Sequence, residues 1–191
     1  MMTIRSDGPD KSDSRDENVA IVDENNRLIG SATRQQMRRN NLIHRATFIL
    51  LFNKQGELFV QKRTQSKDVY PGFYEVAAGG VVGFNESYEE AARRELAEEV
   101  GISGCPLESQ FDFFWNDEGN RVWGRVFLCC HDGPFVLQES EVESGAFLSL
   151  DAVWKMVRSG MPFTPDGIHC LDRYLSECLP KDVEPGVLKS R

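Results

Sequence analysis

Three glutamates, Glu95, Glu98 and Glu99, stand at i, i+3 and i+4 in a stretch with helical patterning, so a helix carries them on one face. Carboxylates that close repel one another unless a cation lies among them, and clustered hard oxygen donors suit Mg²⁺ or Mn²⁺. A divalent cation held this way binds phosphate oxygens, offsets charge on a leaving group and lowers the pKa of a bound water. The three positions also belong to a longer pattern, G-x5-E-x7-R-E-U-x-E-E-x-G-U with U a bulky aliphatic residue. Gly80, Glu86, Arg94, Glu95, Leu96, Glu98, Glu99, Gly101 and Ile102 match it at every specified position. With ordinary residue frequencies, a chance match in a chain of this length has a probability on the order of 10⁻⁷. A solvated charged helix is the plainer alternative, and Glu89 with Arg93 and Glu90 with Arg94 are good i, i+4 pairs for it. It leaves Gly80, Glu86 and the Gly101-Ile102 exit unexplained, so the pattern favours chemistry.

The pattern resembles the signature box of the Nudix hydrolases. That resemblance implies an α/β/α sandwich with a mixed sheet between helices. It also implies a metal-dependent hydrolase in which activated water attacks a diphosphate phosphorus and releases two phosphorylated products. The preferred substrates of the family are nucleoside diphosphates linked to another group. By resemblance, Glu98 and Glu99 are metal ligands, and Glu95 is a ligand or the base that activates water; Glu95 and Glu98 are the catalytic candidates. Glu86 and Arg94 pair to hold the loop against the helix, and the Gly80 carbonyl faces the metal. Many members add a carboxylate from a later loop. Glu139, Glu141 and Glu143 are available here, and Glu141 is favoured. Dimers are common in the family, which makes a homodimer a further expectation.

A second resemblance covers residues 19–84, through His44-Arg45-Ala46 and Tyr70-Pro71-Gly72-Phe73. These segments look like type 1 isopentenyl diphosphate isomerase, which shares the fold but moves a proton on carbon. That enzyme needs a Cys after the Pro-Gly turn and then a metal-binding His. Here Ala77 and Ala78 occupy the Cys region and Gly80-Val81 the His region, while the box, degraded in the isomerase, is complete. Hydrolysis is therefore expected, with isomerase-like or prenyl diphosphate chemistry as the alternative. A sensor that only binds a nucleotide metabolite is the other alternative, although binding alone does not need a base at Glu95. His44 matches an isomerase ligand but has no nearby His in sequence, and it is left out of the site as structural.

For the substrate, alternation along 121–127 puts Arg121, Trp123, Arg125 and Phe127 on one sheet face. Arg121 and Arg125 could hold phosphates beside a stacked base, or form a polar outer face. Arg63, closing an apolar strand, is a third phosphate candidate. No stretch resembles the specificity signatures of ADP-ribose, coenzyme A or diadenosine polyphosphate members.

The elements that must position these residues can be read in outline. Strands are expected at 19–22, 28–30, 46–52, 58–63, 73–77, 110–115, 121–130 and 145–148, with helices at 33–40, 86–100, 151–159 and 166–178. Asn85 is the expected N-cap of the box helix and Gly101 its stop. The polar residues 1–17 read as a disordered leader, 18–180 as one domain and 181–191 as a tail. The 191 residues are 40% hydrophobic and 27% charged, ordinary for a soluble protein with a sizeable core. A net charge of −8 argues against nucleic acid as the main partner and leaves a small phosphorylated substrate with bound cations. Five cysteines, none in a CxxC pair, form no zinc or disulfide framework, and the adjacent Cys129 and Cys130 read as buried thiols in a reducing cytoplasm. No apolar run is long enough to cross a membrane, and no secretion signal is visible.

Overall fold

The computed structural model describes residues 15–178 and the strand Thr3–Arg5; the tail 181–191 and residues 6–14 of the leader lie outside the described residues. In chain order the elements are β1 (Thr3–Arg5), β2 (Asn18–Val22), β3 (Leu28–Thr33), α1 (Arg34–Arg39), β4 (His44–Phe52), β5 (Leu58–Arg63), β6 (Tyr74–Glu75) and α2 (Tyr88–Glu99). There follow β7 (Glu108–Asn116), β8 (Arg121–Cys130), β9 (Val136–Gln138), β10 (Val142–Leu148), α3 (Leu150–Arg158) and α4 (Pro165–Glu177). The leader therefore holds a strand that its composition did not suggest, because β1 pairs in parallel with β9 through backbone bonds.

Among the described residues the main sheet has eight strands and is mixed. Its centre is β4, which runs parallel to β8 from His44↔Val122 to Phe52↔Cys130. On its other side the segment 78–82 pairs with β4 at Ala46↔Val81 and Ile49↔Ala78. The apolar run of β4 has no hydrophobic alternation because both faces are covered. Ile49 and Leu51 join Leu96, Val100 and Phe127 on one face, under α2. Ala46, Phe48 and Leu50 join Val122, Val153, Leu171 and Tyr174 on the other, under α3 and α4. This is the α/β/α sandwich expected from the sequence.

The box helix starts at Ser87, not Asn85: the Ser87 hydroxyl accepts from the Glu90 amide and Glu90 bonds back to the Ser87 amide, a complete capping box. Asn85 instead takes a left-handed turn at φ 70° in the preceding loop. Gly101 ends the helix as expected, at φ 73°. Cys129 is buried while its neighbour Cys130 is exposed, because adjacent strand residues point to opposite faces; the pair is not jointly buried.

Candidate active site

A cavity opens on the α4 face of the sheet, against the N-terminal half of β4, and Ala46, Phe48, Ala77 and Val122 are among its walls. The box helix lies on the opposite face, so its carboxylates must pass through the sheet layer to reach the cavity. They pass at Gly79-Gly80. A Cβ on Gly80 would collide with the Glu95 carboxylate, and one on Gly79, at φ 139°, with the Thr47 carbonyl. The missing side chains make the opening, which is a reason for Gly80 beyond turn geometry.

Glu95 lines the cavity at 2% exposure, and Glu99, equally buried, sits behind Gly79. The Glu99 Oε2 accepts from the Gly79 amide at 2.9 Å and from Gln61 Nε2 at 3.3 Å. Glu141, from the turn before β10, is 3% exposed and lines the same cavity, with Oε2 2.8 Å from Lys67 Nζ. Its neighbours do not reach it: Glu139 is exposed, and Glu143 pairs with Lys62 at 2.8 Å on the surface. Burial raises the Glu95 pKa, and Glu141 and Glu98 push it further up against the counter-pull of Arg94. Burial likewise lifts Glu99 well above the usual carboxylate range, with Glu141, Glu75 and Glu95 adding to it. Carboxylates from three separated chain segments thus repel one another across one small volume.

Arg94 organises the box side. Its Nε and Nη2 hold the two oxygens of Glu86 at 2.9 and 3.0 Å, the loop-to-helix pair expected from the sequence. Its Nη1 reaches Glu95 at 2.6 Å and Glu98 at 3.1 Å, and Nη2 also bonds the Val81 carbonyl at 3.2 Å. Glu86 in turn accepts from the Gly83 amide at 2.9 Å, which closes the loop. Glu98 is the most open of the box carboxylates, with a third of its side chain exposed.

The three arginines expected to bind substrate separate. Arg63 lines the cavity, 2.8 Å from Glu75. Arg121 and Arg125 do not. Alternation along β8 is as expected, but it is Val122 on the opposite face that lines the cavity, while Arg121 and Arg125 share the α2 side of the sheet. Arg125 is clasped by Asp112 at 2.6 and 2.9 Å, reaches Glu89 at 3.3 Å and stacks 4.5 Å over the Tyr88 ring. Arg121 stands 3.7 Å from Glu24. Spacing along one strand shows which residues share a face, not which face meets the cavity.

Sequence reasoning missed Arg34, Arg38, Lys67, Glu75 and Asp166, all of which line the cavity, and set aside His44, which does too. The i, i+4 spacing of Arg34 and Arg38 on α1 was the available signal. His44 is buried with Nδ1 3.1 Å from the Leu42 carbonyl, which fixes Nδ1 as the protonated nitrogen of a neutral ring. Burial first, then Arg38 and Arg34, hold its pKa down to about 3. Asp166, bonded by Asn120 Nδ2 at 3.1 Å, is pushed up to about 6 by burial and then by Glu75.

A mixed sheet between helices is a fold that solved structures share. A crystal structure of DR0079 from Deinococcus radiodurans superposes with a TM-score of 0.73 at 23% identity, over 82% of this chain and 98% of that one. The NUDIX domain model matches residues 42–166. An uncharacterized Nudix hydrolase of Pseudomonas aeruginosa is 45% identical, over 82% of this chain and 92% of its own length. The uncharacterized Nudix hydrolase YfcD of Escherichia coli K12 is 43% identical, over 80% and 83%. The chain belongs to the Nudix family and is a Nudix-type hydrolase, a class that cleaves pyrophosphate bonds.

Proposed function

We propose that this protein hydrolyses the diphosphate linkage of a small phosphorylated metabolite, a nucleoside diphosphate joined to another group or a similar compound, with Mg²⁺ or Mn²⁺ as cofactor. The observation that carries the reading is that buried Glu95 and Glu141, from a helix and a distant turn, line one cavity, with the buried Glu99 bonded to the Gly79 amide beside it. The donor set is all oxygen: these carboxylates, Glu98 and the Gly80 carbonyl. That chemistry fits a hard divalent cation, and positive charge there offsets the burial and, after it, the mutual repulsion that lift Glu95 and Glu99. In the recorded positions no three acidic, His or Cys side chains among the described residues converge on one point. Glu95 is turned to Arg94, Glu99 to Gly79 and Gln61, and Glu141 to Lys67, so a cation competes with Arg94 and Lys67 for the same oxygens.

When bound, the cation supplies charge for the phosphate oxygens and an acidified water. The chain's own residues do the rest. Glu95 takes the proton of the attacking water. Its burial suits it to a base, because a raised pKa makes it a better acceptor than a surface carboxylate. Arg63 and Lys67, on the cavity wall, hold phosphate oxygens as Glu75 and Glu141 give up part of their pairing. Glu86 and Arg94 keep the loop and the helix in register. The Ala46, Phe48, Ala77 and Val122 walls exclude water around the organic part.

The test is Mg²⁺-dependent phosphate release from a panel of nucleotide sugars, dinucleotides, nucleoside triphosphates and prenyl diphosphates. Wild type should cleave at least one at a diphosphate bond, and Glu98→Gln should not. Equal release by both proteins, or none by wild type with either metal, would sink the reading.

A further inference from the structure

On β5, alternation sets Gln61 on the face that carries Phe59 into the core beneath the box helix, where the pattern calls for an apolar side chain. An amide stands there instead, 2% exposed. The strand is flanked on both sides, with Gln61 opposite Glu75 of β6 and Gly145 of β10. Its Nε2 lies 3.3 Å from Glu75 Oε2 and 3.3 Å from Glu99 Oε2. An amide nitrogen has two N–H groups, so each serves one carboxylate, one from the sheet and one from the box helix. Turning the amide over would set its oxygen against both carboxylates, so the surroundings fix which end donates. Oε1 is then buried with no hydrogen-bond partner among the described residues. An unmet buried acceptor costs free energy, and Met, of nearly the same shape, would avoid that cost. Packing therefore does not explain the amide.

We infer that Gln61 is a positioning residue of the cation site, holding Glu99 beside Gly79 as a ligand whose hydrogen bonds come from neutral groups. The inference rests on the hydrolase reading, in which Glu99 binds the metal. The acidic side chains differ in the charge of their partners. Glu95 is held by Arg94 at 2.6 Å and Glu141 by Lys67 at 2.8 Å, so a cation must displace a guanidinium or an ammonium from them. Glu99 accepts from the Gly79 amide at 2.9 Å and from Gln61, both uncharged. A neutral donor fixes the direction of a carboxylate and leaves its charge to attract the cation, whereas Lys or Arg at this place would cancel it. Both bonds fall on Oε2 and leave Oε1 for the metal. The unmet Gln61 Oε1 agrees with this role, because a hydrated cation carries O–H donors and a buried acceptor beside its ligand gives one of them a partner. Through Glu75 the same amide also reaches Arg63, which lies 2.8 Å from Glu75 Oε2, so one residue links the cation ligand to the wall assigned to phosphate.

Mn²⁺ titrated into the full chain, stripped of metal and without substrate, tests this apart from turnover, with free Mn²⁺ read by electron paramagnetic resonance. Gln61→Met should weaken Mn²⁺ binding by about tenfold or more, the scale for losing an outer partner of a metal ligand. The thermal midpoint of the metal-free protein is the folding control, and Gln61→Leu repeats the titration if the Met variant does not fold. Glu99→Gln should weaken Mn²⁺ at least as much. Adding Gln61→Met to Glu99→Gln should cost less than about twofold more, since the amide then has no charged ligand to hold. Unchanged Mn²⁺ affinity in a folded Gln61 variant, beside a clear loss in Glu99→Gln, overturns the inference and leaves the hydrolase reading standing. Losses that add in full in the double variant also overturn it, because Gln61 would then act elsewhere than through Glu99. No Mn²⁺ binding by wild type, or full binding by Glu99→Gln, overturns the metal reading and this inference with it.

Discussion

The cavity has an acidic pole at the box carboxylates and a basic one at Arg34 and Arg38, and the two are built in opposite ways. The acidic pole is mostly one helix and its leading loop, where Gly80, Glu86, Arg94, Glu95, Glu98 and Glu99 lie within twenty residues and bond mainly to one another. The basic pole joins α1, the start of β4, the β7–β8 turn through Asn120, and α4 through Asp166. A local construction leaves a fixed spacing in the sequence, whereas a junction of four segments leaves only scattered single residues.

That contrast can be broken most directly at the acidic pole. Glu98→Gln should lower kcat by ~10²- to 10⁴-fold, the range for removing a group acting in proton or charge transfer, with little change in thermal midpoint because the side chain is partly exposed. Steady-state kinetics with the best panel substrate decides it, and a loss confined to KM would move Glu98 from chemistry to binding. Gly80→Ala should come next. Its Cβ displaces the Glu95 carboxylate from the opening, and a shift of that order costs on the order of 10²-fold in rate. Unchanged turnover in a folded Gly80→Ala protein would remove the gate.

At the basic pole a titration sharpens the comparison. His44 has its folded pKa depressed to about 3 from an ordinary 6.5, so the unfolded chain takes up a proton in that window that the folded chain refuses. Stability should be at its full value above about pH 6.5 and fall as the pH drops towards 3. Urea melts of His44→Asn across that window should show a shallower decline than wild type. An identical decline would mean that His44 is not held neutral.

The smallest effects are expected off the cavity. Arg125→Met should leave kcat and KM unchanged and cost at most ~1 kcal/mol, since its pairs with Asp112 and Glu89 are partly solvated. A tenfold rise in KM would restore Arg125 to the substrate. Incubation with isopentenyl diphosphate should give no dimethylallyl diphosphate, as neither Ala77 nor Ala78 can act on carbon; clear turnover would revive the isomerase alternative.

The strand and helix order was legible because β4 is a bounded apolar run, β8 alternates, and α2 has helical spacing with a clear stop at Gly101. The N-cap at Ser87 was missed because Asn85 is an equally good capping type two residues earlier, and only the closed Ser87–Glu90 box distinguishes them. Strand β1 was missed because its pairing with β9 is backbone-to-backbone across more than a hundred residues and leaves no trace in side-chain pattern. Among the acidic candidates of the later turn, Glu141 was favoured and is the one that the fold buries on the cavity wall. The sequence could not separate it from Glu139 and Glu143, since all three sit in one acidic run.

What the residues alone determined is the hydrolase family, because its signature lies in glycines and carboxylates at fixed spacing along one loop and helix, and a continuous segment records that spacing directly. Only the tertiary structure decided which cations face the cavity. Arg121 and Arg125 satisfy the same strand alternation as a binding face, yet the parallel pairing of β8 with β4 turns their neighbour Val122 inward instead. Arg34 and Arg38, six to ten residues before β4, reach the cavity wall from α1, which packs on β2 through Met37. Periodicity defines faces relative to one another, and the packing of one layer on the next determines which face lines a cavity.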